Sequence, residues 1–163
     1  GAIKITPEKE FYKNGDVIQI EATPDQDKEF LGWSGDISDK KNVVSISITK
    51  NMLIKPSFSS IEDAIIDSKS YSIIFDRIFN ASFKLQNMLP EPINQVNFKL
   101  LDADGSTIVS TSDNLEIKSE GSAGYNINFL ITPWWSTFNT YYTEWTFKYK
   151  DKNYIRKKRI GGD

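Results

Sequence analysis

The heptapeptide Phe30-Leu31-Gly32-Trp33-Ser34-Gly35-Asp36 lies between two segments in which apolar and polar residues alternate. Gly32 and Gly35 can take positive φ without the steric cost of a Cβ, so the backbone can fold tightly around a large ring. Trp33 would bury a large apolar area between strands, and Asp36 would close the turn by accepting a hydrogen bond from the backbone two residues on. These are the tasks of a scaffold, so the stretch predicts a fold rather than a reaction.

The residues on both sides of the heptapeptide extend its pattern. They are Tyr12-x-x-Gly15, Ile18-x-Ile20-x-Ala22-x-Pro24, Val44-x-Ile46-x-Ile48 and Asn51-x-x-Ile54-x-x-x-Phe58. With them, residues 1–58 resemble the divergent internalin-B-type B repeat of bacterial surface proteins. The resemblance implies a small β-grasp-like module, strung between a secretion signal and other surface domains, with spacing or adhesion as its role. Family members usually have a further strand ahead of the position of Ala2, so we expect the chain to be cut from a longer protein.

Alternation in the first third of the chain predicts strands near residues 2–6, 16–23, 29–33, 43–49 and 52–58. The character then changes, because residues 59–70 are polar and acidic, with Ile61, Ala64 and Ile65 at helical spacing. Ser60 and Asp63 could cap one helical turn there, and a plain linker is the alternative. We therefore predict a B-repeat-like module over residues 1–58, a connector over 59–70 and a second domain over 71–163.

The second domain shows further alternating segments separated by turn signals, among them Asp104-Gly105, which favours a hairpin turn. The segments include Ala81-x-Phe83-x-Leu85, Val96-x-Phe98-x-Leu100, Thr107-Ile108-Val109, Leu115-x-Ile117 and Tyr125-x-Ile127-x-Phe129-x-Ile131, followed by residues 142–149 and 154–160. Roughly seven short strands at this spacing favour an immunoglobulin- or fibronectin-like β-sandwich. The order of these features also loosely resembles the accessory sandwich domains of bacterial surface proteins. The predicted fold class is mainly β.

Composition limits the partners and the chemistry of the chain. The net charge of −2 gives no electrostatic case for nucleic acid or an anionic membrane. No apolar run approaches the roughly 18–20 residues that span a bilayer. The chain has neither Cys nor His, which removes thiol nucleophiles, Ser-His triads, disulfides and the usual zinc sites. Since no phosphate loop or nucleophile elbow appears either, we expect no enzymatic activity, no cofactor and no metal.

The densest aromatic cluster of the chain runs from Trp134 to Trp145. Flat aromatic faces can stack on the apolar C–H groups of sugars, with polar neighbours for the hydroxyls. The candidate ligand-binding residues are therefore Trp134, Trp135, Tyr141 and Tyr142. The alternative is structural, because strand alternation would send Trp145, Phe147 and Tyr149 to one face as core.

The acidic turn Asp102-Ala103-Asp104, with Asp113 downstream, is a candidate calcium site because Ca²⁺ prefers several hard oxygen ligands on a flexible loop. Its spacing fits the EF-hand pattern poorly, however. A plain hairpin turn is therefore the favoured interpretation.

Seven basic residues lie between Lys148 and Arg159, interleaved with two tyrosines. Such a strip could bind an anionic glycan or a nucleic acid backbone. The alternative is an edge strand whose charges prevent pairing with another sheet, and the slightly negative total charge favours it.

Together these observations predict a non-enzymatic module of a bacterial cell-surface or secreted protein, which acts as a spacer or as an adhesion or protein-interaction domain. Its expected partners are the other domains of the parent surface protein and a host or environmental protein or glycan, with no nucleic acid and no membrane insertion. The alternative function is a carbohydrate-binding module that uses the aromatic platform of the second domain. The expected location is extracellular or on the cell surface.

Overall fold

The computed structural model describes residues 1–74, 78–130 and 141–160. These residues form twelve β-strands and one helical turn. They divide into two compact units, Gly1–Ala64 and Ile65–Asp163. The mainly β fold class predicted from the sequence is confirmed. No helix in the described ranges is long and apolar enough to cross a membrane.

The first unit contains two antiparallel sheets, with strand orders β1-β2-β4 and β3-β5. Its elements are β1 (Ala2–Thr6), β2 (Val17–Thr23), β3 (Lys28–Gly35), β4 (Val43–Ser47), β5 (Ile54–Ser60) and α1 (Ile61–Ala64). The strands lie where the alternation of the sequence predicts them, with ends that differ by at most two residues. Alternation works here because each sheet has one buried face, so every second side chain must be apolar.

The core of the first unit is small. Ile18, Ile20 and Ala22 of β2 pack with Phe30 and Trp33 of β3, and all five are buried. Val44 and Ile46 of β4 and Ile54 and Phe58 of β5 pack against this cluster and are themselves only partly buried. The unit therefore depends on few side chains for its hydrophobic stabilisation.

The described residues of the second unit form a β-sandwich of seven strands in two antiparallel sheets. They are β6 (Ile65–Ile74), β7 (Ile78–Asn87), β8 (Ile93–Leu101), β9 (Thr107–Ile117), β10 (Ser122–Leu130), β11 (Tyr141–Tyr149) and β12 (Lys152–Ile160). The sheets have the orders β10-β7-β6 and β12-β11-β8-β9. The first, second and fifth strands thus lie in one sheet and the remaining four in the other, as in sandwiches of the immunoglobulin and fibronectin kind.

Aromatic rings join the two sheets of the sandwich. Phe83 of β7 lies with its ring centroid 5.1 Å from that of Phe98 of β8. Tyr125 of β10 lies 5.6 Å from Phe98 and 5.8 Å from Trp145 of β11. These separations are those of directly packed rings, so the core is continuous from one sheet to the other.

Residues 59–70, predicted as a connector, contain the end of β5, the turn α1 and the start of β6. The first strand of the second unit therefore begins at Ile65 rather than near Tyr71. Of the two alternatives for this segment, the structure shows the helical turn. Ser60 caps it, since its Oγ accepts the backbone N–H of Asp63 at 3.1 Å and donates to the carboxylate of Asp63 at 2.6 Å. Sequence analysis did not predict the start of this strand because its first residues are largely polar. Polar residues are common in strands at a sheet edge, where β6 lies.

Candidate functional site

Tyr141 and Tyr142, two of the predicted ligand-binding residues, begin β11 and face opposite sides of the sheet. Tyr141 is 8% exposed and belongs to the core. Tyr142 is half-buried on the outer face, where the Nζ of Lys157 lies 4.9 Å from its ring centroid. Consecutive residues of a strand cannot share a face, so the two rings do not form one platform. Trp134 and Trp135 lie outside the described residues, and the predicted aromatic platform stays a prediction for them.

The other aromatic residues of β11 are core residues. Trp145, Phe147 and Tyr149 are 1%, 4% and 1% exposed, on the same face as Tyr141. The prediction that strand alternation places these three residues in the core is therefore correct.

The basic run is divided by β12 into two sets with different environments. Arg156 and Lys158 turn toward Asp67 of β6, whose side chain is 7% exposed, with nitrogen to oxygen distances of 3.9 Å and 2.6 Å. Lys157 and Arg159 lie on the opposite face of the strand. The first set thus links the neighbouring edges of the two sheets, since β6 and β12 are edge strands. Sequence reasoning missed Asp67, which lies in the polar stretch interpreted as a connector.

The acidic turn has the geometry of a hairpin turn. Asp104 accepts the backbone N–H of Ser106 at 2.7 Å, and Asp102 accepts that of Ala103 at 2.6 Å. The hydrogen bond from Ser106 lowers the pKa of Asp104. Gly105 has a φ of +88°, as the Asp-Gly pattern predicts. Asp113 lies on β9, and its side chain is outside the described part of the structure. No group of three or more potential metal ligands occurs within the described residues.

Trp33 is the structural centre of the heptapeptide. The side chain is 4% exposed, and its indole Nε1 donates to the carbonyl oxygen of Lys41 at 2.9 Å. Its backbone N–H donates to the carbonyl oxygen of Asp39 at 2.7 Å. The ring meets Phe30 edge-on with a centroid distance of 5.3 Å. The indole ring is therefore buried against apolar neighbours, and its one polar atom has a hydrogen-bond partner inside the fold.

The turn after Trp33 depends on Gly35 and Asp36. Gly35 has a φ of +102°, and a Cβ on it would collide with the carbonyl oxygen of Leu53. Asp36 accepts the backbone N–H of Leu53 at 2.7 Å, and Lys50 lies 2.6 Å from its other carboxylate oxygen. The hydrogen bond from Lys50, followed by that from Leu53, lowers the pKa of Asp36. The predicted partner two residues on was wrong, because Asp36 instead ties the turn to the segment before β5.

These glycines, the buried indole and the locking aspartate are the features on which the sequence resemblance rests. Residues 2–62 match the family model of the divergent InlB B-repeat domain. The predicted resemblance to a divergent internalin-B-type B repeat is confirmed, and the match extends to residue 62. We refer to the first unit as the B repeat from here on.

Other comparisons add little to this assignment. No curated protein matches the chain. A structural genomics target named SoR45 covers 63% of this chain and 89% of its own, at 11% identity and a TM-score of 0.46. Two structures of Parabacteroides merdae β-glucuronidase match at 15% and 12% identity with TM-scores of 0.46 and 0.48, and the matches span only 15% and 27% of their chains. Similarities this weak carry no argument about function.

The B repeat also has a groove that sequence reasoning missed. Its volume is about 460 Å³, and its lining includes Ile3 and Ile5 of β1, Phe11 and Trp33. Ile3, Ile5 and Phe11 are 48%, 38% and 77% exposed. The alternation of β1 correctly indicated one apolar face, but only the packing of the two sheets shows that this face is left partly open.

Proposed function

We propose that this chain is a non-enzymatic module of a bacterial cell-surface or secreted protein, acting as a spacer or as an adhesion or protein-interaction domain. The observation that carries the proposal is that the residues defining the B repeat are used to build its fold. Trp33 is buried and hydrogen-bonded, and Asp36 holds Leu53. The repeat therefore supplies a stable shape, and its outer surface is left for contact with partners.

The second unit supports the same function. Most of its described aromatic side chains fill a continuous sandwich core, including Phe98 and Trp145, which are 0% and 1% exposed. Two compact units in one short chain suit an architecture in which successive domains hold a binding surface away from the envelope. The other domains of the parent protein are the first partners that this proposal implies.

The location is tested by labelling intact cells of the source bacterium with antibodies against this chain. We expect labelling without permeabilisation, while a cytosolic marker protein stays unlabelled. Labelling that appears only after permeabilisation would contradict a surface location.

Spacing and adhesion are separated by exchanging this segment in the parent protein for an unrelated folded module of similar length. A spacer tolerates the exchange, because only length and stiffness matter. Loss of attachment with unchanged surface display would assign adhesion to the segment itself. Loss of surface display in the exchanged protein would contradict both roles and indicate a part in export.

The alternative function is glycan binding by the predicted aromatic platform. The observation that favours it is the outward, half-buried position of Tyr142, whereas the burial of Tyr141 removes that residue from any platform. A glycan array tests it with the intact chain and a Trp134→Ala, Trp135→Ala variant whose folding is checked by circular dichroism. Phe11→Ala, which truncates an exposed ring in the B repeat, is the matched control. Binding lost only in the folded double variant would establish this function.

A further inference from the structure

The three-stranded sheet of the second unit, β10-β7-β6, has an outer face with little charge. Ala81, Phe83 and Leu85 of β7 are buried in the core, so the even-numbered residues of that strand lie on the outer face. Cross-strand partners share a face. We call the described residues of this surface the neutral face. They are Ile66, Ser68 and Ser70 of β6, Asn80, Ser82, Lys84 and Gln86 of β7, and Ser122, Gly124, Asn126 and Asn128 of β10.

Neutral hydrogen-bonding side chains dominate the composition of this face. Four of its eleven residues are serines, three are asparagines and one is a glutamine, and the one charge among them is that of Lys84. Charged residues make up 26% of the whole chain, so their scarcity on an outer sheet face is a local property. Asparagine is depleted in strands because it fits a pleated surface poorly. Neither burial nor strand propensity therefore accounts for these residues.

The fold makes little use of these amides and hydroxyls. Those on the two outer strands, β6 and β10, are exposed, and those on β7 are half-buried. Within the described residues, no hydrogen bond or ion pair engages any of the eight side chains. Asn87, by contrast, points to the interior from the same strand and is held by the carbonyl oxygens of Glu91 and Ile117. The neutral face therefore keeps its hydrogen-bonding capacity for a ligand.

The hydrogen-bonding groups cover an elongated area. From Asn80 to Gln86 the strand extends for about 20 Å, and three strands with the usual spacing give a width of about 10 Å. Asn126, Ser82 and Ser70 form one row across all three strands. Amide and hydroxyl groups both donate and accept hydrogen bonds, so the neutral face offers donors and acceptors side by side along its length.

We propose that the neutral face binds an uncharged polysaccharide in an extended conformation. Each sugar hydroxyl donates and accepts a hydrogen bond, as the side chains of Ser82 and Asn126 do. The serines are short, so a ligand chain can lie close to the sheet and reach groups on neighbouring strands. The inference rests on the adhesive form of the proposed function and names its partner class.

Two other classes of partner fit this face less well. An acidic polymer is held by several cations, and Lys84 is the one cation among the described residues of the neutral face. A protein interface is centred on aromatic, methionine or arginine side chains and is depleted in serine. Ile66 is the one large apolar side chain described on this face. Hydrogen bonding to a hydroxyl-rich, uncharged ligand is the recognition that the composition favours.

The test is titration calorimetry of the full chain with hydroxyethylcellulose, galactomannan, laminarin and dextran as neutral polymers, and with polygalacturonate as the acidic one. We expect at least one neutral polymer to bind more tightly than polygalacturonate does. Its affinity should be unchanged in about 1 M NaCl, because no charge contact is there to be screened. In the variant Ser82→Ala, Asn126→Ala we expect about tenfold weaker affinity, because two neighbouring hydrogen-bonding groups are removed. Ser70→Ala, in the same row, should weaken binding by a smaller factor.

The control variant is Ser110→Ala, Asn153→Ala, which removes the same two groups from exposed positions on β9 and β12 of the other sheet. We expect it to bind like the unchanged chain, with all variants folded by circular dichroism. Full binding by the folded Ser82→Ala, Asn126→Ala variant, or an equal loss in the control, would overturn the proposal. Absence of binding to all four neutral polymers, or binding that salt abolishes, would also overturn it. These results leave the surface location untouched, since antibody labelling of cells tests that separately.

Discussion

The B repeat and the sandwich bury their side chains in different ways. Every one of the largest fully buried side chains among the described residues belongs to the sandwich, from Ile65 to Tyr149. The B repeat relies instead on Trp33 and a few neighbours, and it leaves Phe11, Val17 and Leu53 more than half exposed. The contrast shows two ways to specify a β fold. A small unit uses a few specialised residues close in sequence, whereas a larger one distributes its stability over two facing sheets.

The largest effect is expected from removing the central indole of each unit. Trp33→Ala and Trp145→Ala should each cost about 3–5 kcal/mol, as deletions of core aromatics do. The B repeat should unfold, because its core has few other large side chains, while the sandwich should remain folded with a lower Tm. Thermal denaturation with ¹H–¹⁵N correlation spectra distinguishes the units. An unchanged melting transition in Trp33→Ala would refute the assignment of Trp33 to the core.

A smaller effect is expected from the backbone of the turn in the B repeat. Gly35→Ala should cost about 2–4 kcal/mol, since positive φ strain adds to the collision with the carbonyl oxygen of Leu53. Gly105→Ala is the matched control, because Gly105 also has positive φ but no atom near the position of a Cβ. In chemical denaturation, the free energy of unfolding of the control should fall only by the cost of the strained backbone. Equal losses would mean that the B repeat can move Leu53 aside.

A substitution at Asn87 tests whether the stability of the sandwich is distributed over many residues. This buried side chain donates to the carbonyl oxygens of Glu91 and Ile117 at 2.9 Å and 3.1 Å and accepts the N–H of Leu89 at 2.9 Å. Asn87→Ala should cost about 1–3 kcal/mol, because it leaves buried backbone groups without partners. Gln86→Ala, on the opposite face of β7, should change the free energy of unfolding by less than about 0.5 kcal/mol. Similar changes in the free energy of unfolding for the two variants would show that the hydrogen bonds of Asn87 do not stabilise the sandwich.

The smallest change in stability is expected when the pH is lowered. The backbone N–H of Lys13 and then Lys9 lower the pKa of Asp16, and Lys50 and then the N–H of Leu53 lower that of Asp36. Such carboxylates stabilise the fold above their unfolded pKa, near 3.8, and this contribution is lost as the pH falls through their folded values. When the pH is lowered in an NMR titration, we expect the B repeat to lose stability at a higher pH than the sandwich does. Asp36→Asn should reduce its pH dependence, and earlier loss of the sandwich would contradict this ranking.

The candidate sites were less predictable than the strands. Alternation correctly indicated that Trp145, Phe147 and Tyr149 are core residues. Either Tyr141 or Tyr142 was predicted to join the two tryptophans in a platform, and the choice between them was left open although consecutive strand residues face opposite sides. The basic run looked like one strip for the same reason, because a list of charges does not show which face each one occupies. Asp67 and Asn87 gave no local signal, since their roles depend on residues that other strands bring to them.

The sequence by itself determined the positions of the strands in the B repeat, the burial of Trp33 and the need for glycine at position 35. These properties follow from the period of a strand and the sterics of one residue, which are local. Only the tertiary structure decided that Asp36 holds Leu53, that Lys158 meets Asp67 and that β1 keeps an open apolar face. Each of these depends on which strands become neighbours, and strand pairing between distant segments is set by the packing of the sheets rather than by any short stretch of sequence.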